Sequence, residues 1–238
     1  MDYDKFLEQK IKKHVKNGFT ISEDILNSNL FPFQKFIVSK ALEVGKYAIF
    51  ADCGLGKTII QLEWAYQVWK YTHQPVLILA PLAVSGQTIQ DGKKFGIEVF
   101  KYSEIENPIT TCYGGIWISN YEQLDNINCN IFDGVVLDES SILKNYTGKI
   151  KNKIIDNFSD TKYKLCCTAT PSPNDLNEIG NHSEFLDVME APEMRARWFI
   201  RDEGINNYRL KGHAEEDFYG WVGTWASVLR MPSDIGFK

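Results

Sequence analysis

Apolar residues recur along this chain in two alternating rhythms. Short, mostly apolar runs at Tyr47–Phe50, Val76–Ala80, Glu98–Tyr102, Ile116–Asn120, Gly134–Leu137 and Lys164–Thr168 have the length of buried strands. Between them, Gln34–Val44, Lys57–Thr72, Val84–Phe95, Gly148–Phe158 and Asn174–Phe185 carry the spacing of helices. Continuous apolar strands separated by helices predict an α/β fold, a mostly parallel central sheet covered on both faces. In such a sheet the ligand-binding loops gather at the carboxyl ends of the strands. Residues 1–29 read as a helical lead-in, with Phe6, Ile11 and Val15 apolar on a lysine-rich segment that Asn17-Gly18 punctuates. Residues 30–190 hold the alternation and are the expected core domain. Residues 191–238 are expected to be a mostly helical extension. There, Gly204–Gly212 resembles a turn or short hairpin, and Ala214–Leu229 an amphipathic helix with Phe218, Trp221, Val222, Trp225 and Leu229 on one packing stripe.

The 238 residues, 44% of them hydrophobic, suffice for one large domain with a full core. No apolar run nears the ~20 residues that a membrane span requires, and the charged N-terminus has no apolar signal region behind it. The five cysteines (Cys53, Cys112, Cys129, Cys166 and Cys167) lack CxxC spacing and nearby histidines, which points to a reduced, cytoplasmic protein without structural zinc. A net charge of −5 argues against a broadly basic surface but leaves a local nucleic-acid groove open. All five arginines lie at Arg195 or later, which marks the last quarter of the chain as different in character.

The candidate chemistry sits at strand ends. Ala51-Asp52-Cys53-Gly54-Leu55-Gly56-Lys57-Thr58 lies between an expected strand and an expected helix, the context a phosphate loop needs. Small residues let backbone N–H groups curl around phosphates, and the helix N-terminus adds its positive dipole end. Lys57 can then reach the β and γ phosphates and the Thr58 hydroxyl can ligate Mg2+. Asp138 and Glu139 end the apolar run Val135-Val136-Leu137. One carboxylate there suits magnesium, and the other suits a general base for the attacking water. Thr168-Ala169-Thr170-Pro171 closes another strand with hydroxyls that can sense a γ-phosphate. Gln34, at the start of the first helix of the core, offers a donor and an acceptor to an adenine edge.

In this order and spacing, Gln34, Gly54-Leu55-Gly56-Lys57-Thr58, Asp138-Glu139 and Thr168-Ala169-Thr170-Pro171 resemble the first-lobe motifs of superfamily 2 helicases. The Gly-Leu-Gly-Lys-Thr core and Leu143-Lys144-Asn145 are similar to the Swi/Snf-type branch. Leu62-Glu63-Trp64-Ala65 and Lys211-Gly212-His213-Ala214 resemble helicases of bacteriophages and prophages. The resemblance implies a three-layer RecA-like P-loop NTPase lobe that hydrolyses ATP with Mg2+. The ATP site would be Gln34 with Cys53, Gly54, Leu55, Gly56, Lys57 and Thr58. Lys57, Asp138 and Glu139 would be catalytic, Thr58 and Asp138 would hold the metal, and Thr168, Ala169 and Thr170 would couple hydrolysis to movement. Pro81, Leu82, Ser85, Gln87, Ser119, Asn120 and Tyr121 fall where that branch meets a nucleic acid, DNA above all. The expected setting is the cytoplasm of a bacterium or phage-infected host.

This sequence departs from the branch where Ser140-Ser141 replace the usual Ala-His after the acidic pair, and a serine can hydrogen-bond in the histidine's place. The resemblance also implies a second RecA-like lobe with arginine fingers, in cis or in trans, and nothing after Glu190 reads as a second sheet. Two other readings stay open on the residues alone. One is a P-loop kinase, a class that usually places lid arginines near the phosphates. The other is a non-catalytic module in which nucleotide only switches the binding of a partner.

Overall fold

The computed structural model describes residues 16–104, 114–144, 148–201 and 208–238. The expected N-terminal helix around Phe6, Ile11 and Val15 therefore lies outside the described residues, as do Cys112 and Asn145. In chain order the elements are α1 (Pro32–Val44), β1 (Lys46–Ala51), α2 (Lys57–Thr72), β2 (Val76–Ala80), α3 (Ser85–Lys94), β3 (Val99–Lys101), β4 (Ile116–Asn120), β5 (Gly134–Asp138), α4 (Lys149–Asn157), β6 (Tyr163–Thr168), α5 (Ile179–Phe185), α6 (Ala191–Trp198), β7 (Phe199–Arg201), β8 (Tyr208–Leu210), α7 (Glu215–Trp225) and β9 (Ala226–Leu229). Short 3-10 turns join several of them, including Ser140–Lys144 directly after β5.

Seven strands form one sheet in the order β3-β4-β2-β5-β6-β1-β9, and each pairing in it is parallel. Strands β1, β2, β5 and β6 are buried almost throughout, which is why their sequences are apolar without alternation. Two cores lie on the two faces. One packs α1 and α2 through Ile37, Leu42, Ile60 and Trp64, and the other packs the C-terminal helices through Phe185, Trp198, Phe218 and Trp225.

The register sets the functional geometry. Asp138 pairs with Cys167, and Cys167 pairs in turn with Ile49, while Thr168 pairs with Phe50. The ends of β5, β6 and β1 are thus level, and two inter-strand spacings, about 10 Å, separate the outer pair. The loops that follow these three strands must share one edge of the sheet.

The last segment differs from expectation. The helix expected over 214–229 stops at Trp225, where Ala226 turns extended (φ −139°, ψ 148°), and the next residues become β9, paired to β1. Leu229 completes both a helical stripe and a strand alternation, so periodicity alone could not separate them. The Tyr47 hydroxyl shares a buried hydrogen bond of 2.9 Å with Ser227 Oγ across this pairing. The hairpin expected near Gly204 is built by β7 and β8, antiparallel, with residues 202–207 outside the described set. The helix expected from Asn174 begins only at Ile179. Its first turn is a 3-10 turn over Leu176–Glu178, capped by Asp175, whose side chain accepts from Asn177 N–H at 3.0 Å.

The C-terminal segment is therefore part of the core rather than an appendage. Trp225→Ala, which empties a fully buried site, is expected to destabilise the fold by about 3–5 kcal/mol in urea unfolding. Val228→Thr, exposed in edge strand β9, should change stability by roughly 0.5 kcal/mol or less.

Candidate active site and nucleic-acid face

The loop between β1 and α2 turns on two glycines in the left-handed region, Gly54 (φ 83°) and Gly56 (φ 75°). Gly56 is doubly constrained, because a Cβ there would stand 2.4 Å from Gln34 Nε2. Gln34 is buried in the first turn of α1. Its Nε2 donates to the Leu55 carbonyl at 3.0 Å, and its Oε1 accepts from the Phe31 N–H at 2.9 Å. The side chain thus ties the loop to the start of α1, with one amide hydrogen and one lone pair to spare. Lys57 Nζ folds back onto the carbonyls of Ala51 (2.9 Å) and Asp52 (3.2 Å), bonds that hold the ammonium over the loop. Thr58 follows at the N-terminus of α2, and Cys53 is exposed on the loop.

Asp138 is the last residue of β5, which pairs with β6, and Glu139 follows it directly. Burial pushes the Asp138 carboxyl above the usual range, and the Glu139 charge adds to this, while Gln61 and Lys57 pull the other way. A desolvated carboxylate within electrostatic reach of Lys57, at the start of α2, suits a divalent cation, which would relieve its cost of burial. Gln61, one turn along α2 from Thr58, is fully buried with neither amide atom in a hydrogen bond. It lies close enough to favour the charged form of Asp138 without reaching bonding geometry.

Glu139 has φ 54°, a left-handed conformation that costs a non-glycine residue on the order of 1 kcal/mol. Four contacts hold it. The Tyr121 hydroxyl donates to the Asp138 carbonyl at 2.6 Å, and Ile142 N–H donates to the Glu139 carbonyl at 3.2 Å. Thr168 Oγ1 meets Glu139 Oε2 at 3.3 Å, and Ser140 Oγ meets His182 Nε2 at 3.1 Å. Thr168 also accepts from the Thr170 N–H at 3.1 Å, which folds Ala169 into a tight turn beside Glu139.

The residues expected to face nucleic acid divide into two groups. Pro81, Leu82, Ser85, Gln87 and Asn120 are at least partly exposed near the same sheet edge. Ser119 and Tyr121 are largely buried, Ser119 as part of β4 and Tyr121 with its hydroxyl on the Asp138 carbonyl. The Asn120 side chain caps the turn after β4 by accepting from Gln123 N–H at 3.0 Å. A groove of about 590 Å³ opens beside Glu139, lined by Pro81, Tyr121, Glu122, Ile142, Lys144 and Lys149.

Sequence reasoning missed Gln61, His182 and the Tyr121–Asp138 contact. A signal existed for two of them. Gln61 is a polar residue on an otherwise apolar face of α2, and Asn181-His182-Ser183 interrupts a segment flanked by Ile179 and Phe185. The Tyr121 contact depends on how the turn after β4 folds over β5, which no local pattern encodes.

A parallel sheet with a phosphate loop after β1, an acidic pair after β5 and a hydroxyl segment after β6 defines a RecA-like P-loop lobe. The chain matches the SNF2-related domain family over residues 41–206, more than half its length, and belongs to that family. It is similar in structure to the SWI2/SNF2 ATPase core of Sulfolobus solfataricus solved with double-stranded DNA, with TM-score 0.71 at 19% identity, over 89% of this chain and 47% of that one. The UvsW helicase of bacteriophage T4 shares the fold with TM-score 0.53 at 14% identity, over 80% of this chain and 66% of that one. In sequence the chain is 26% identical to protein p41 of Acyrthosiphon pisum secondary endosymbiont phage 1, over 71% of this chain and 43% of p41. The chain thus spans less than half the length of p41 and of the Sulfolobus core.

Full burial lowers the His182 pKa from 6.5 to about 4, although the carbonyls of Glu178 and Ser140 oppose the shift. The unfolded chain binds this proton below pH 6.5 and the folded chain resists it until about 4. Stability is therefore expected to fall as pH drops through that window, by about 3 kcal/mol in all. Asp138, shifted upward, works in the opposite sense. In thermal melts the pH slope between 6.5 and 4.5 should flatten in His182→Gln, and an unchanged slope would assign it to another group.

Proposed function

We propose that this chain is the first ATPase lobe of a DNA-dependent motor. The observation that carries this reading is the meeting of Lys57, Asp138, Glu139 and Thr168 at level strand ends, behind a loop built for phosphates. ATP lies with its phosphates along Asp52–Gly56, at the N-terminus of α2. Lys57 exchanges its two carbonyl partners for the β and γ oxygens and neutralises charge that builds there. The spare donor and acceptor of Gln34 meet the adenine edge. Thr58 and Asp138 hold Mg2+, which when bound shields phosphate charge and orients the γ-phosphoryl group. Glu139, aimed by its left-handed turn and by Thr168, takes a proton from the attacking water. Loss of the γ-phosphate is felt at Thr170, whose N–H donates to Thr168, and at Thr168, whose hydroxyl donates to Glu139.

Pro81, Leu82, Ser85, Gln87 and Asn120 face the backbone of double-stranded DNA, with Lys144 and Lys149 supplying positive charge along the groove. Contacts of this kind go to phosphates, carry no sequence information and weaken with salt. A second RecA-like lobe, in cis or in trans, contributes the arginines that stabilise the transition state, an effect of about 10³-fold or more. The single lobe is therefore expected to bind Mg·ATP and turn it over slowly, in the cytoplasm where ATP is available.

Two outcomes test this. Mg·ATP should protect exposed Cys53 from alkylation, followed by peptide mass spectrometry, at least tenfold in rate. Glu139→Gln should keep that protection while abolishing hydrolysis. Equal alkylation with and without nucleotide would remove ATP from this loop. Carboxylates introduced together at Ser85 and Gln87 should weaken binding of duplex DNA about tenfold at low salt, equally for unrelated sequences.

A further inference from the structure

We propose that His182 is a positioning residue for Glu139, acting through Ser140 to make the catalytic turn move as one body with α5. The inference rests on the reading of Glu139 as the hydrolytic base. Its ground is the way α5 grips both ends of the 3-10 turn Ser140–Lys144. At one end His182 Nε2 meets Ser140 Oγ at 3.1 Å, and at the other Asn181 Nδ2 donates to the Lys144 carbonyl at 3.3 Å. Two consecutive residues of one helix thus bracket the turn that follows Glu139. The imidazole also lies edge-on to Phe50, with ring centroids 5.1 Å apart and planes at 80°, one residue before the phosphate loop begins to leave β1.

Ser140, Asn181 and His182 are all fully buried, and Asn181 Oδ1 meets no hydrogen-bond partner among the described residues. Leaving such a group unmet costs about 1–3 kcal/mol, which an apolar side chain of similar size would avoid. Packing alone therefore does not account for Asn181-His182. Nor does the Thr168 hydroxyl suffice to fix Glu139. Its contact of 3.3 Å reaches only the carboxylate, and the same oxygen also serves the Thr170 N–H. The backbone of the turn is held by Ser140 and Lys144, and hence by α5. That helix lies downstream of Thr168-Ala169-Thr170 in the chain. A shift of the hydroxyl segment on arrival of a γ-phosphate would pass through α5 to Ser140, reaching Glu139 from its backbone side as well as from its carboxylate.

The test is nitrogen-15 NMR of the chain labelled at histidine, of which it has four. The His182 ring signals are assigned by their loss in His182→Gln or, should that variant not fold, by elimination with single substitutions at His14, His73 and His213. Nucleotide occupancy is read separately by fluorescence titration with Mg·ADP and with the magnesium complex of a β,γ-imido ATP analogue. The His182 signals are expected to shift with the analogue and not with ADP. The shift should vanish in Ser140→Ala while analogue affinity stays within about threefold of the parent. Analogue binding that leaves His182 unmoved, or moves it equally in Ser140→Ala, overturns the inference while ATP binding stands. Failure to bind either nucleotide overturns the reading of the site, and the inference with it.

Discussion

The left-handed turn at Glu139 is the constraint on which the rest of the site depends. A non-glycine residue holds that conformation only when its surroundings over-determine it, and here three neighbouring elements contribute bonds. Tyr121 reaches from the turn after β4, Thr168 from the end of β6 and His182 from α5. The backbone therefore leaves a buried strand and immediately presents a carboxylate towards the shared edge of the sheet. Glycine would relax the strain and remove the carboxylate, so the strain and the proposed base occupy the same residue.

That arrangement follows from register rather than from any single loop. Because Asp138, Cys167 and Ile49 lie on one rung, the three loops that follow β5, β6 and β1 cannot avoid each other. The phosphate loop is stiffened from the opposite side by Gln34, whose amide fits against Gly56 closely enough to exclude any Cβ. The loop and the acidic turn are each tied by hydrogen bonds to elements outside themselves, the loop to α1 and the acidic turn to α5 and the turn after β4.

Much of this was legible in the sequence. The strands from β1 to β6 were visible as apolar runs because both faces of a parallel sheet are covered, and the phosphate loop was visible because its glycines serve a backbone requirement. The fate of residues 226–229 was not legible. Leu229 fits a helix and a strand equally, and only the exposed edge of β1, with Tyr47 reaching for Ser227, decides between them. Gln34 was singled out on its donor and acceptor chemistry, while its service as a clamp between α1 and the loop needed coordinates. Ser119 and Tyr121 were placed toward nucleic acid by the family resemblance alone, and the turn after β4 sets the Tyr121 hydroxyl on the Asp138 carbonyl. His182 left a trace in the polar run Asn181-His182-Ser183, but its partner Ser140 comes from a distant part of the chain, so the contact itself needed coordinates.

The most direct test of the account is calorimetric titration of this chain with Mg·ATP beside Lys57→Ala. Among the described residues Lys57 hydrogen-bonds to backbone carbonyls of its own loop and interacts electrostatically with Asp138, so its loss should leave the fold intact while removing the cation that meets the phosphates. The account predicts binding by the parent and a loss of tenfold or more in the variant at unchanged melting temperature. Equal affinities in the two proteins would contradict it, because ATP would then be bound somewhere other than the loop after β1.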